Sequence, residues 1–468
     1  MQLWQEWFRC VRQLRPACSR TRSFFWLVTA LIGLSTRLDL AGVTSFIRST
    51  GLTPAAYRRL LYLFHSPAVS LERLTALWAR LVPTLCAPYK VGPYLVCIAD
   101  GVKAPKEGRL MPAVRSLHQS ADSNSKPPFI MGHSFQAMSL LVRSATGHIA
   151  SIPLAARIHE GLVWSNRDQR TLLDRLVEMF LGLAGPLGGK VILLADAYYA
   201  SGKVIRPLLR EGHHLVTRVR MNAVAYLPLP ARSDRRHRGR PRIYGEKVRL
   251  RDLIDEKGLL ATAPSPLAGD THSISYGCFD LLWRPVGHLV RFVVVKHPHR
   301  GMIILMTTHM DLDPLEVIVL YSYRFKIETG FRHAIHVVGA YGYHFWMEAM
   351  EPIRRRSKDQ YLHMRSEPYR KAVVRKMKAY HLHVQLGCIA QGLLIHLAIN
   401  HGEAVWEHFR SWLRTMNRSR PPSELVVIHS LREHVREFLD AGGGDEELRI
   451  FWSDYRPSHK ARDLKLAG

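Results

Sequence analysis

The chain has 468 residues, of which 47% are hydrophobic and 22% charged, a balance typical of folded globular proteins and not of disordered or fibrous ones. Lysine and arginine outnumber aspartate and glutamate by 66 to 38, a formal net charge of +28, which favours a polyanionic partner. Nucleic acid is the first candidate for this partner, and an anionic membrane surface is the second. The alternative is a basic enzyme that has no polyanionic partner. Six cysteines without C-x2-C spacing indicate neither a zinc motif nor an oxidising compartment, so we expect a cytoplasmic protein.

Residues 1–90 are predicted to be helical. The apolar run from Phe24 to Leu34 is too short to cross a bilayer and no cleavage pattern follows it, so we expect a buried helix and no membrane segment. One helix is predicted around residues 44–51, and a second begins at Thr53 or Pro54 and carries Arg58 and Arg59. This pair fits either a helix-turn-helix reader of DNA or a plain helical hairpin.

The next part of the chain alternates between strand and helix patterns. A short apolar run ends at Asp100, as expected of a buried strand, and another ends at Asp196. Between and after them we expect strands at 135–142, 149–154 and 214–218 and helices at 162–183 and 201–209. This order predicts a mixed sheet with helices on its faces.

A region of different composition follows at about 221–319. It opens with an arginine-rich run at 232–242, which is predicted to be solvated or bound to DNA. Alternating runs at 247–250, 272–283, 288–295 and 302–307 then predict an inserted antiparallel β region. After it we expect one long helix over about 315–338, a basic stretch at 353–380, an apolar helix at 385–399 and a helical tail.

Asp100 and Asp196 are the first candidates for chemistry. Two carboxylates at the ends of neighbouring strands would repel each other unless a cation lay between them, and Mg²⁺ prefers such oxygen ligands. Taken singly, each aspartate also fits a turn or cap residue.

A third acidic residue lies on the helix predicted after the β region. Tyr321, Arg324 and Glu328 are spaced by three and four residues and therefore share one helix face. Arg324 and Glu328 also fit a simple surface ion pair. The apolar residues around them favour a packed helix that presents one polar stripe.

Taken together, these features resemble the DDE transposases of bacterial insertion sequences. The likeness is to the subgroup whose RNase H-like core is interrupted by a β domain before the catalytic glutamate, and it extends over roughly residues 91–345. Residues 100–112 and 239–248 add to it. The implied fold class is α/β, an RNase H-like mixed sheet with an inserted antiparallel β domain, flanked by helical N- and C-terminal regions.

The resemblance implies that Asp100, Asp196 and Glu328 are the catalytic residues and ligate two Mg²⁺ ions, for which Mn²⁺ substitutes. It implies cleavage at transposon terminal inverted repeats and strand transfer into target DNA, by a homodimer acting on double-stranded DNA. The family often has a lysine seven residues after the glutamate; that position is Ile335 here, and Arg332 or His336 are the candidates to replace it.

The predicted domain order is a helical DNA-end-binding region at 1–90, the catalytic core at 91–220 and 320–400, and the β insertion at 221–319. A helical region at 401–468 is a candidate for dimerisation. Two alternatives remain, a catalytically inactive DNA-binding relative and a metal-dependent nuclease. The residues expected to contact DNA are Tyr321, Arg324, Lys326, Arg332, Arg58, Arg59, Arg235, Arg236, Arg238, Arg240, Arg354, Arg355 and Arg356.

Overall fold

The computed structural model describes residues 1–40, 42–119, 127–229, 242–254, 258 and 260–457. The helical character expected of the N-terminal region is confirmed, and the run from Phe24 to Leu34 lies in a buried helix. The second helix of the predicted pair begins one or two residues later than expected, at Ala55. The N-terminal helices are α1 Gln2–Arg12, α2 Thr21–Thr36, α3 Gly42–Thr50, α4 Ala55–His65 and α5 Leu71–Leu85.

The remaining helices lie on the faces of the sheet and at the C-terminal end of the described chain. They are α6 Leu172–Leu187, α7 Gly202–Arg210, α8 Pro314–Tyr323, α9 Lys326–His333, α10 Glu367–Asn400, α11 Gly402–His408, α12 Glu424–Glu433, α13 Val435–Ala441 and α14 Glu446–Ser453. A π-helical turn, Ala334–Val338, extends α9. α10 is long and apolar enough to cross a membrane, but 94% of its apolar window is buried inside the fold, as in the core helix of a soluble protein.

The N- and C-terminal helices pack against each other. Trp4 stacks on Phe438 with ring centroids 4.6 Å apart, and its indole N–H donates to the carbonyl of Leu431 at 2.9 Å. Trp452 donates to the hydroxyl of Thr29 at 2.9 Å. Because these contacts are buried and involve large aromatic side chains, they join the two chain ends into one helical layer around α10.

Among the described residues, thirteen strands form a single sheet and two more form a short parallel pair. The strands are β1 Lys90–Val91, β2 Tyr94–Pro105, β3 Arg115–His118, β4 Phe129–Arg143, β5 Ile149–Ile158, β6 Leu162–Val163, β7 Val191–Ala195, β8 His214–Val219, β9 Val224–Tyr226, β10 Lys247–Arg249, β11 Ala261–Pro264, β12 Ser273–Trp283, β13 His288–His297, β14 Gly301–Thr307 and β15 Gln360–Tyr361.

The centre of the sheet has the order β5-β4-β2-β7-β8. β2, β7 and β8 are parallel, whereas β4 is antiparallel to both β2 and β5. The parallel strand β7 is buried along its whole length, because helices cover both of its faces. This arrangement confirms the predicted RNase H-like mixed sheet.

The strands of the β-rich region continue that central sheet. β14 pairs antiparallel with β8, with Thr307 opposite Val216, and β13, β12, β9 and β10 follow in order. The antiparallel pattern predicted from the sequence is therefore confirmed, but the region does not form a sheet of its own. Alternation of apolar residues reports which face of a strand is buried, and it carries no information about which strand lies beside it.

Three predicted helices differ in the structure. The helix expected from residue 162 begins only at Leu172, where Thr171 and Asp174 form a capping box. The long helix expected over 315–338 is interrupted between α8 and α9, and the apolar helix expected from residue 385 begins at Glu367. The first turns of α10 are basic and only partly buried. They lack the continuous apolar pattern on which the prediction of a helix from residue 385 was based.

Candidate active site

The two predicted aspartates occupy equivalent positions on neighbouring parallel strands. Ile98 pairs with Leu194 where β2 and β7 run side by side, and each aspartate lies two residues further along its strand. Asp196 directly follows β7, as predicted. Asp100 does not end its strand, because β2 continues to Pro105 and pairs with β4.

Backbone amides hold both aspartate side chains. Asp100 Oδ1 accepts from the N–H of Gly101 at 2.7 Å, and Asp196 Oδ1 accepts from the N–H of Tyr198 at 2.8 Å. Asp196 caps a short 3₁₀ turn, so the cap residue anticipated as an alternative is present there. In each carboxylate these bonds occupy Oδ1.

The helix that carries Glu328 is interrupted just before this residue. α8 ends at Tyr323 and α9 begins at Lys326, so Glu328 lies in the first turn of α9. Two side chains from other elements hold α9: Ser151 donates to the carbonyl of Lys326 at 3.1 Å, and Gln391 donates to the carbonyl of Gly330 at 3.0 Å.

Arg324 connects Asp100 to Glu328. Its Nη1 is 2.9 Å from Asp100 Oδ2 and its Nη2 is 2.7 Å from Glu328 Oε1. The side chains of Arg324 and Asp100 are each 20% exposed, and that of Glu328 is 40% exposed. The ion pair expected between Arg324 and Glu328 is therefore present. Arg324 also bonds to Asp100, which is 224 residues away in the sequence, so it is more than a surface ion pair within one helix.

The environment of Asp100 disfavours its charge. Burial raises the pKa of this carboxyl to about 6, and the neighbouring charges of Asp196 and Glu328 act in the same direction. The Gly101 amide and Arg324 only partly offset this rise. Burial likewise raises the pKa of Tyr321, whose side chain interacts with Arg324 and Asp196. An additional cation near Asp100 would therefore stabilise the ionised form of its carboxyl group.

A set of polar residues behind the aspartates was not anticipated. Gln136 Nε2 donates to the carbonyl of Asp100 at 3.1 Å, and the Tyr199 hydroxyl donates to Gln136 Oε1 at 3.0 Å. The Thr217 hydroxyl donates to the carbonyl of Asp196 at 2.7 Å. The signal for Gln136 was an amide in the largely buried strand β4, because buried amides need hydrogen-bond partners.

A buried arginine on the N-terminal layer holds the far end of the Glu328 segment. Arg37 donates to the carbonyl of Val338 at 2.7 and 3.1 Å and to that of Gly339 at 2.8 Å. Gly339 ends the π turn with φ of 69°, a conformation that favours glycine. Ile335, which replaces the lysine of the related pattern, packs against the core.

The residues predicted to contact DNA are distributed over several surfaces. Arg58 and Arg59 are exposed on α4, Arg332 on α9, and Arg354, Arg355 and Arg356 before α10; Lys326 and Tyr321 are half-buried, and burial lowers the pKa of Lys326. Arg324 is bound to carboxylates. Arg235, Arg236, Arg238 and Arg240 lie outside the described residues. Of the predicted set, Tyr321 and Arg324 lie beside the carboxylates.

Comparison with known families matches a part of the chain that holds two of the three carboxylates. Residues 125–337 match the family described as the transposase DDE domain. This segment is similar to a transposase DDE domain. It contains Asp196 and Glu328 and begins after Asp100, and the β-rich strands lie within it. No curated protein matches the chain.

This match confirms the resemblance to insertion-sequence transposases, while the subgroup stays a prediction. DDE transposases act on DNA and generally use divalent metal ions. Within the described residues, two groups of three ligand atoms lie within 4.8 Å of one another, and Asp100, Asp196 and Glu328 are not one of them. The guanidinium of Arg324 contacts both Asp100 and Glu328.

Proposed function

We propose that this protein is a DNA transposase that cleaves DNA at the ends of its transposon and joins them to target DNA, with Asp100, Asp196 and Glu328 as its catalytic carboxylates. The observation that carries the proposal is the contact of one guanidinium, Arg324, with both Asp100 and Glu328. Asp196 directly follows the neighbouring parallel strand β7, and its charge acts on Asp100. These observations support one shared site built from distant parts of the chain.

The donor set fits a divalent metal. All three side chains offer hard carboxylate oxygens, the ligands that Mg²⁺ prefers. Burial, with a smaller effect from the charges of Asp196 and Glu328, raises the pKa of Asp100, and a bound cation would favour its ionised form. Asp100, Asp196 and Glu328 would hold the metal, with Mn²⁺ as a substitute for Mg²⁺. When bound, divalent ions would lower the pKa of the attacking hydroxyl and stabilise the leaving oxygen of a phosphodiester.

The side chains around the carboxylates have separate roles in this proposal. Gln136 and Thr217 fix the backbone that carries the two aspartates, and the amides of Gly101 and Tyr198 orient their carboxylates. Arg324 neutralises two carboxylates in the protein alone. Beside bound DNA, the same guanidinium is placed to contact the phosphate next to the scissile bond.

The net charge of +28 supports a long DNA-binding surface. We assign backbone contacts to Arg58 and Arg59 on α4 and to the three arginines at 354–356, all of which are exposed. The arginine-rich run at 232–242 is assigned to phosphate or minor-groove contact. Two copies of the chain would bring two transposon ends together.

A cleavage assay tests the catalytic assignment. A supercoiled plasmid that carries the gene's native flanking DNA is incubated with the full-length protein in Mg²⁺, Mn²⁺ or EDTA. We expect metal-dependent cuts at the element's ends and joined products, both abolished by Asp196→Asn. Asp311→Asn is the matched control, because this exposed aspartate precedes α8 outside the site.

The two alternatives predict different products. DNA binding without cleavage in any metal would indicate an inactive relative, and metal-dependent cuts without joined products would indicate a nuclease. Cuts that persist in Asp196→Asn would refute the carboxylate triad itself. Filter binding of the same DNA by the Asp196→Asn protein separates loss of chemistry from loss of binding.

A further inference from the structure

A second cluster of metal-ligating side chains lies where α1 packs on the end of α10. One ligand atom from each of Glu6, His396 and His401 lies within 4.8 Å of the other two. Glu6 Oε1 is 2.8 Å from His396 Nε2 and 3.9 Å from His401 Nε2. We propose that this group, the α1–α10 cluster, binds one transition-metal ion of the Zn²⁺ class. The proposal is independent of the transposase chemistry.

The spacing of the donors suits a tetrahedral ion. Metal–ligand bonds of about 2.0–2.1 Å place tetrahedral ligand atoms roughly 3.3–3.4 Å apart. The two observed distances lie on either side of that value, so each changes by about half an ångström on binding. Two imidazoles and one carboxylate leave a fourth position, and the His401 side chain, 26% exposed, leaves a route to solvent for water and for the ion.

The ring of His396 is oriented for ligation. Its side chain is 4% exposed, and its Nδ1 is 3.1 Å from the carbonyl of Leu85. In the metal-free protein Nε2–H donates to Glu6 Oε1 at 2.8 Å. An ion on Nε2 would replace this proton and leave the ring protonated on Nδ1, where the Leu85 carbonyl accepts; metal-binding histidines commonly donate their other N–H in this way. The Asn400 amide donates to the same carbonyl at 2.8 Å and to Cys86 Sγ at 3.6 Å, which uses both of its N–H groups.

The competing contact of His396 is with Asn400. Asn400 Nδ2 is 2.9 Å from His396 Nδ1, so without an ion this amide can donate to Nδ1 while Nε2–H donates to Glu6. Binding of an ion requires Asn400 to keep its two N–H groups on the Leu85 carbonyl and Cys86 Sγ instead. If the bond from Asn400 to Nδ1 dominates, no ion binds, and a binding measurement distinguishes the two states.

Glu6 can ligate the metal ion while keeping part of its ion pair with Arg9. Arg9 Nε is 2.8 Å from Glu6 Oε2, whereas Arg9 Nη2 and His396 both contact Oε1. Oε1 is the atom that faces both histidines. Because the Arg9 side chain is largely exposed, Nη2 can move into solvent while Nε retains Oε2.

The other three-ligand group of the described chain provides a built-in comparison. It consists of Asp270, His272 and His297. His297 Nδ1 accepts from the backbone N–H groups of His299 at 3.0 Å and Arg300 at 3.1 Å. Its proton is therefore on Nε2, which donates to Asp270 at 2.8 Å. A metal on Nε2 would force a proton onto a nitrogen that already faces two donors, so we expect no ion there.

The test measures Zn²⁺ binding to the full-length protein by equilibrium dialysis. All variants carry Asp196→Ala, which weakens binding at the proposed catalytic site. We expect about one tightly bound equivalent, a loss of at least about tenfold in affinity with His401→Ala, and no change with His272→Ala. Circular dichroism verifies that each variant is folded.

Co²⁺ gives a second readout that does not depend on a variant's stability. A tetrahedral Co²⁺ site with two imidazoles absorbs strongly in the visible range, and we expect this band in the Asp196→Ala protein and its loss with His401→Ala. The proposal is overturned if Asp196→Ala binds no Zn²⁺ at micromolar concentrations. It is equally overturned if His401→Ala binds unchanged, or if His272→Ala removes the binding instead.

Discussion

In the metal-free protein, replacing Asp100 with asparagine is expected to increase stability. Burial and the charges of Asp196 and Glu328 raise the pKa of Asp100 from 3.8 to about 6, despite the Gly101 amide and Arg324. Asparagine keeps the size of the side chain and an oxygen that accepts from Gly101, but it carries no charge. The variant therefore removes an unfavourable charge and keeps the Gly101 bond, but it loses the ion pair with Arg324, which retains its contact with Glu328.

The magnitude follows from the difference between the folded and unfolded pKa values. About two pKa units at roughly 1.4 kcal/mol each give about 3 kcal/mol at pH values above the folded pKa. Below about pH 4 the carboxyl is protonated in both states and the charge makes no difference. Because the folded pKa is the higher one, the stability that this group contributes is present at low pH and is lost as pH rises from about 4 to about 6.

Urea unfolding in EDTA measures this effect in the wild type, Asp100→Asn and the exposed control Asp311→Asn. We expect Asp100→Asn to be more stable than wild type by about 3 kcal/mol near pH 7.5 and by about 1 kcal/mol near pH 4.5. Added Mg²⁺ should stabilise the wild type more than Asp100→Asn. A variant less stable than wild type near pH 7.5, or a difference that does not change with pH, would refute this reasoning.

Further predictions follow from other contacts. Arg324→Gln removes the cation shared by two carboxylates, so it should melt at lower temperature in EDTA and regain part of the loss in Mg²⁺; no response to Mg²⁺ would count against the site. Arg37→Met leaves buried carbonyls at the end of the π turn unbonded and should cost about 3 kcal/mol in urea unfolding, and a cost below about 1 kcal/mol would contradict the assigned bonds. Gly202→Ala should destabilise the protein because its Cβ would overlap the Pro285 carbonyl, whereas Gly182→Ala in the open face of α6 should stabilise it by about 0.5–1 kcal/mol; equal effects would contradict the packing.

The sequence alone was enough to predict the residues of the proposed site. Asp100 and Asp196 follow fully apolar runs, and the spacing of Tyr321, Arg324 and Glu328 puts them on one helix face. Both signals are local, because burial of a strand and periodicity of a helix are written in consecutive residues. For the same reason the RNase H-like order of strands and helices was predictable, as was the helical character of the first ninety residues.

Only the tertiary structure decided how these parts meet. The interruption between α8 and α9, the reach of Arg324 to Asp100 and the continuity of the β-rich strands with β8 all depend on pairings between distant segments. The bonds from Arg37 to Val338 and Gly339 join positions about 300 residues apart. A local sequence pattern specifies which side of a helix or strand is buried. The element that packs against this side is selected by the packing of the whole chain, and this selection leaves no periodic signal in the sequence.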